Sequence, residues 1–232
     1  HFKLGPVKYH NVVASIKGTK YPDEYVIISG HLDSYDVATG GIDCGTGIGP
    51  MMEAARMIAL SGAKPKRTIL FVAFAGEEFG LLGAKAYVKT HAKELGKIAN
   101  LFNRDGGPTP PVGISVPQAM YDDFVEVCKP VKEIRADYPF EVKVAKPFKR
   151  PTQSGGTDAS VFAVEGVPTF GFNTQDIKGY NFSYGEIWHT ERDLYTKNIP
   201  EYQEHAATVT AVVALGIANL SKQLSREGMH KK

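Results

Sequence analysis

Carboxylate and imidazole side chains lie at or just after the ends of two apolar runs in this sequence. Both types of side chain bind metal ions and transfer protons. The residues concerned are His31, Asp33, Asp43, Glu77 and Glu78. Because α/β proteins build their sites at the carboxyl ends of their strands, these side chains can meet in one place if both runs are strands.

Two further candidates come later in the chain. Asp105 follows a third apolar run, and His189 lies beside the single tryptophan. Two imidazoles and several carboxylates, without a nearby pair of cysteines, describe a site for a hard-to-borderline cation, and zinc fits this set best. Each residue alone also has a plain structural explanation: Asp105 suits a turn before two glycines, and His189 suits a packed loop.

The Glu77-Glu78 pair needs a particular environment. Adjacent carboxylates at the end of a buried strand repel each other and lose solvation, which favours a bound cation or a shared proton. One carboxylate can bind a metal while its neighbour acts as a general base. The alternative is a helix N-terminus, where the dipole favours glutamate, because a helical pattern begins at Leu81.

Three of the earlier candidates have possible roles in a metal site. His31 and Asp33 are two residues apart, so the imidazole can bind a metal while the carboxylate holds the second ring nitrogen. Asp43 lies in a glycine-rich segment whose backbone can approach a centre closely, where Asp43 can bridge two cations. An ordinary turn is the alternative for Asp43. A phosphate loop is disfavoured, because no Lys-Ser/Thr pair follows the glycines.

Strand and helix patterns alternate along the elements that must position these residues. Periodicity and β-branched runs predict strands at 7–17, 25–30, 68–75, 98–102, 112–116 and 167–172, and helices at 51–61, 81–95, 118–129, 158–164 and 199–224. The alternation implies crossover connections and a sheet with a parallel centre. Pro130 is expected to end the third helix.

Composition restricts the class of protein. The chain has 232 residues, 43% of them hydrophobic, which suffices for one large domain, and no shift in composition marks a second. A net charge of +2 and short basic runs without aromatics argue against nucleic acid as a partner. Two cysteines are too few for a disulfide framework. No apolar stretch is long enough to span a bilayer.

Five motifs, in this order, resemble the di-zinc aminopeptidase family, which also contains glutamate carboxypeptidase and carboxypeptidase Q. They are Ser29-Gly30-His31-Leu32-Asp33-Ser34, Gly41-Ile42-Asp43, Gly76-Glu77-Glu78-Phe79-Gly80, Gly156-Thr157-Asp158 and His189-Thr190. Each motif is weak alone, whereas five in the right order are specific. The resemblance covers nearly the whole chain and is nearest to bacterial relatives of carboxypeptidase Q. It implies a three-layer α/β/α sandwich with a mixed, centrally parallel sheet.

The resemblance implies two zinc ions and a role for each of five ligands. His31 and Asp105 would complete the first zinc site, and Glu78 and His189 would complete the second. Asp43 would bridge the two ions. One departure concerns the residue after this aspartate, where many relatives have a second aspartate and, in some, a cis peptide bond. Here Cys44 occupies that place.

The resemblance also implies a catalytic apparatus. Glu77 would be the general base that takes a proton from a water between the metals, with Asp33 placed behind His31. Tyr184 is a candidate to stabilise the developing oxyanion, and Asp158 is a candidate to support the site from behind. The implied function is a zinc-dependent exopeptidase that cleaves peptides near the N-terminus or splits dipeptides.

Two other functions remain open on the same scaffold. One is a different amide chemistry, such as glutaminyl cyclisation, for which one zinc suffices. The other is a binding module that has lost catalysis, although no expected ligand or base is missing here. A nucleotide-binding domain is disfavoured, because Gly-x-Gly-x-x-Gly does not follow the first strand.

The start of the sequence bears on processing. The chain begins with His1 rather than Met and shows no signal peptide. We therefore expect residues 1–232 to be a single catalytic domain from a longer, exported product, periplasmic or secreted. In carboxypeptidase Q relatives a protease-associated domain lies beside the catalytic domain, and such a domain would belong to the upstream part.

Overall fold

Apolar, β-branched runs form the central sheet of the computed structural model, which describes residues 5–231. Its strands are β1 (Val12–Ile16), β2 (Tyr21–His31), β3 (Arg67–Phe74) and β4 (Ile98–Asn103). They lie in the order β1-β3-β2-β4, with β2 parallel to β3 and β4, and β1 antiparallel at one edge. The expected mixed, centrally parallel sheet is confirmed. Residues 1–4 and 232 of the expected 1–232 domain lie outside the described residues.

Helices cover both faces of this sheet. They are α1 (Gly45–Leu60), α2 (Leu82–Thr90), α3 (Tyr121–Ile134), α4 (Ala159–Val164) and α5 (Pro200–Asn219). Val26 and Ile28 of β2 pack in one core with α1, α3 and α5, whereas Ile27 packs in a second core with α2 and α4. Successive strand residues point to opposite faces, so β2 serves both cores. The arrangement is the three-layer α/β/α sandwich.

Further strands lie outside the central sheet. They are β5 (Pro111–Pro117), β6 (Glu141–Ala145), β7 (Phe148–Lys149), β8 (Phe172–Thr174) and β9 (Met229–Lys231). A three-stranded sheet has the order β6-β5-β8, with β5 parallel to β6 and antiparallel to β8. Strands β7 and β9 form a separate parallel pair. Among residues 5–231, no helix has both the length and the apolar character needed to cross a bilayer.

Several predicted boundaries are wrong: α1 begins at Gly45 rather than at 51, α2 ends at Thr90 rather than at 95, and α5 ends at Asn219 rather than at 224. Helix α3 continues through Pro130 to Ile134. The carbonyl that Pro130 leaves unpaired belongs to Glu126, which is exposed to water, and buried Val131 anchors the following turn. The strand expected at 167–172 is also wrong, since β8 begins only at Phe172. Before β8, Thr169 makes a single isolated bridge to Leu101 of the central sheet.

Candidate metal centre

The parallel strands bring three candidate positions to one edge of the sheet. His31 is the last residue of β2 and pairs in register with the last residue of β3. The turn after β3 therefore carries Glu77 and Glu78 beside His31. Asp105 follows β4, whose last residue, Asn103, pairs with Ser29 of β2. The alignment of three strand ends explains why residues far apart in sequence meet.

His31 is buried and lies between two carboxylates. Its Nε2 is 2.9 Å from Oδ1 of Asp43 and 3.5 Å from Oδ1 of Asp105. Its Nδ1 is 2.9 Å from the backbone carbonyl of Asp33, so Nδ1 carries the hydrogen and Nε2 faces the carboxylates. Burial lowers the pKa of His31, but the hydrogen bonds to Asp105 and Asp43 outweigh it and raise the pKa to about 12. The two carboxylates thus favour positive charge at the Nε2 side of the His31 ring.

Asp33 has a different contact from the one expected. Its carboxylate is 3.8 Å from His31 Nδ1, and the backbone carbonyl holds that ring nitrogen instead. The carboxylate accepts the backbone N–H groups of Glu77 and Glu78, both at 3.1 Å. Asp33 therefore ties the end of β2 to the turn that carries both glutamates.

Asp43 is buried and lies two residues before helix α1, with Cys44 between them at the N-cap. The peptide bond between Asp43 and Cys44 is cis. The Cys44 thiol donates to the backbone carbonyl of Arg104 at 3.0 Å, and burial raises the pKa of this thiol to about 12. Cys44 is therefore a neutral, packed thiol in this structure.

Glu78 and His189 form a second group of candidate ligands. The Nε2 atom of His189 is 2.9 Å from Oε2 of Glu78. The other carboxylate oxygen of Glu78, Oε1, is buried without a hydrogen-bond partner. One ligand atom each from His31, Asp43 and Glu78 lies within 4.8 Å of the others, which links this group to the first. A buried, unpartnered oxygen beside an imidazole and further carboxylates fits a metal ion.

Glu77 lies in the same cleft and has an unusual proton affinity. Burial and then the charge of Asp105 raise the pKa of Glu77 to about 8. Asp158 is fully buried, and neither of its carboxylate oxygens has a hydrogen-bond partner. Burial raises the pKa of Asp158 to about 7. Both carboxyl groups therefore bind protons more readily than ordinary carboxyl groups do.

The candidates surround a cleft of about 540 Å³. Residues that line it include Asp43, Glu77, Glu78, Asp105, Tyr184 and His189. Burial and the charges of Asp43 and Asp105 raise the pKa of Tyr184, so its hydroxyl keeps its proton. Such a volume suits a small ligand of a few residues.

Three residues at this site escaped the sequence reasoning. Lys85 and Trp188 also line the cleft. Asp193 accepts the backbone N–H of Ile42 at 2.7 Å and that of Asp43 at 3.2 Å. The only sequence signal for Asp193 is its position four residues after His189, and a polar loop offers many such aspartates.

Known proteins resemble this chain in sequence and in fold. Carboxypeptidase Q of Rattus norvegicus is 32% identical over 231 residues, an alignment that covers 97% of this chain and 46% of the relative. The crystal structure of a peptidase M28 precursor from Shewanella amazonensis is 32% identical, with a TM-score of 0.76, and covers 93% of this chain and 46% of that one.

A zinc aminopeptidase from Bacillus subtilis shares the fold, with a TM-score of 0.68 at 21% identity over 95% of this chain and 53% of that one. The chain spans about half the length of the curated relatives it matches. The family model described as peptidase family M28 matches residues 11–213. This chain therefore belongs to peptidase family M28.

Proposed function

We propose that this chain is a zinc-dependent exopeptidase that cleaves peptides near the N-terminus or splits dipeptides. The observation that carries the proposal is the meeting of two imidazoles, three further carboxylates and Glu77 around one small cleft. Membership of family M28 supports a peptide as substrate. A cleft of about 540 Å³ favours the end of a peptide over a long internal segment.

The donor set supports two zinc ions. His31 and Asp105 would hold one ion, Glu78 and His189 the other, and Asp43 would bridge them. Nitrogen and carboxylate oxygen are ligands that zinc prefers, and so few protein ligands per ion leave coordination positions open. When bound, zinc polarises a carbonyl group and lowers the pKa of water. The zinc aminopeptidase from Bacillus subtilis has the same fold.

Glu77 is the proposed general base. Asp33 holds the backbone of Glu77 in place, and the raised pKa allows the carboxylate to take a proton near neutral pH. The oxygen of the attacking water joins the carbonyl carbon while one proton of that water passes to Glu77. Glu77 then delivers the proton to the amine nitrogen, and the carbon–nitrogen bond breaks.

Two further residues have proposed supporting roles. Tyr184 keeps its hydroxyl proton and lines the cleft, so it can donate a hydrogen bond to the carbonyl oxygen as negative charge develops there. Asp158 contributes its negative charge to the surroundings of Glu77 and helps to hold the pKa of Glu77 high. Tyr184 would contact the substrate, whereas Asp158 would act through Glu77.

The test combines metal analysis with hydrolysis. Chelator-treated and zinc-reloaded protein is analysed for zinc per chain, and hydrolysis of aminoacyl amides and free dipeptides is measured on the same samples. We expect two zinc ions per chain, activity that falls on chelation, and a loss of about 10²–10⁴-fold in Glu77→Gln with zinc retained. Glu126→Gln, an exposed carboxylate on α3, is the matched control and should behave like wild type.

Other outcomes separate the alternatives. Cleavage of N-acetylated peptides at the same rate as free ones would contradict an exopeptidase that acts at a free N-terminus. One zinc per chain with cyclisation of N-terminal glutamine would support the cyclase-like chemistry, and no metal binding would support a binding module. The expectation of an exported product stays a prediction.

A further inference from the structure

Asp193 joins two loops that carry proposed ligands. Its side chain is buried, and its carboxylate accepts the N–H groups of Ile42 and Asp43. Its backbone carbonyl lies 3.4 Å from the backbone nitrogens of Thr39 and Gly41 and accepts both. One residue thus receives four backbone N–H groups from the segment 39–43, which leads into the proposed bridging ligand.

The two loops also touch main chain to main chain. A Cβ atom on Gly41 would lie 2.2 Å from the backbone of Leu194 and Tyr195, so only glycine permits this approach. The side-chain amide of Asn198 donates to the carbonyl of Gly41 at 2.8 Å. The segment 39–43 belongs to no helix or strand. The position of Asp43 therefore depends on these contacts between the two loops.

Asp193 is also tied to the segment that carries His189. The backbone N–H of Asp193 donates to the carbonyl of Thr190 at 3.2 Å, which closes a short turn directly after His189. Like Asp43, His189 belongs to no helix or strand. A displacement of Asp193 would therefore move the bridging carboxylate relative to the imidazole of the second proposed zinc site.

We propose that Asp193 is a positioning residue that holds Asp43 and His189 at the mutual position needed for the second cation of the centre. The inference rests on the proposed di-metal function. A carboxylate suits the task because its two oxygens each accept one N–H group, and hydrogen bonds to a charged acceptor are strong. Asparagine keeps one acceptor oxygen and turns an NH₂ donor toward the remaining N–H, so it loses at least one of the two bonds.

The test titrates cobalt(II) into chelator-treated protein. Absorption of the bound cobalt reports its coordination, and competition with a chromophoric chelator gives the affinity of each equivalent. We expect wild type to bind two equivalents and Asp193→Asn to bind the second about 10–100-fold more weakly, the usual range for loss of a partner behind a metal ligand.

Asp176→Asn is the matched control. The carboxylate of Asp176 also accepts two loop N–H groups, from Gly179 at 3.1 Å and Asn181 at 2.8 Å, but it touches none of the proposed ligands. Asp176→Asn should keep both cobalt equivalents. Thermal unfolding of the chelator-treated proteins gives the unfolding temperature of each variant, and the titrations are made well below the lowest of these temperatures.

Each result decides the proposal. Wild-type affinity and spectrum in Asp193→Asn, or equal losses in Asp193→Asn and Asp176→Asn, would overturn it. If Asp193→Asn does not fold, hydrogen exchange of wild type decides: slow exchange at Ile42 and Asp43 supports the proposal, and rates of an exposed loop overturn it. Failure of wild type to bind any cobalt would instead refute the metal centre itself, so the two failures are distinguishable.

Discussion

The imidazole of His189 stacks on the phenol ring of Tyr35, with ring centroids 4.2 Å apart and ring planes 6° from parallel. Tyr35 lies in the loop that follows Asp33, and the ring of Trp188 is also 4.2 Å from the imidazole. The stack limits rotation of the ring that presents Nε2 to Glu78. Tyr35 therefore orients a proposed ligand without touching the metal position.

Replacing Tyr35 should weaken binding of the second cation. Aromatic pairs contribute about 0.5–1.5 kcal/mol beyond their buried area, so we expect Tyr35→Ala to lower that affinity roughly 2–10-fold. Tyr35→Phe keeps the ring and should bind like wild type. Chelator competition with zinc measures both variants, and equal affinities in Tyr35→Ala and wild type would show that the stack has no orienting role.

The sequence predicts the central part of this site because that part depends on strands. The runs that become β2 and β3 are visibly apolar and β-branched, and His31 and Glu77 follow from where those runs end. The five-motif resemblance supplies the order and roles. The parallel centre of the sheet follows from the alternation of strands and helices, whereas the three-layer arrangement is implied by the resemblance.

What the sequence does not reveal depends on contacts between distant loops. Asp193 acts on backbone N–H groups about 150 positions away, and backbone groups carry no sequence signal. Tyr35 acts by stacking on a ring in a loop far along the chain. The path of α3 through Pro130 depends on tertiary burial of Val131, which overrides local propensity.

Asp33→Asn should impair catalysis more than metal binding. Asparagine can accept only one of the two N–H groups that Asp33 now accepts from Glu77 and Glu78, so the turn that carries the general base loses its anchor. We expect kcat/KM to fall about 10–100-fold. Zinc analysis and steady-state kinetics on the same sample check this, and zinc loss equal to the loss of rate would contradict it.

Asp158→Asn should move the acidic limb of the pH–rate profile. The charge of Asp158 is one of the causes that raise the pKa of Glu77, so its removal lowers that pKa. The base then stays ionised at more acidic pH, and the limb of kcat/KM shifts to lower pH. Profiles of wild type and Asp158→Asn across the limb test this, and a shift to higher pH would refute the assigned role.

Glu77→Gln should change how the stability of chelator-treated protein depends on pH. The folded-state pKa of Glu77 is about 8, above its ordinary value of 4.5, because burial disfavours the charged form. Folding therefore favours the neutral carboxyl, and wild type loses stability as pH rises from about 4.5 to about 8.

Glutamine does not titrate, so the unfolding temperature of Glu77→Gln minus that of wild type should grow across this interval and level off above it. A difference independent of pH, measured by thermal unfolding in matched buffers, would mean that Glu77 is solvated like an ordinary surface carboxylate.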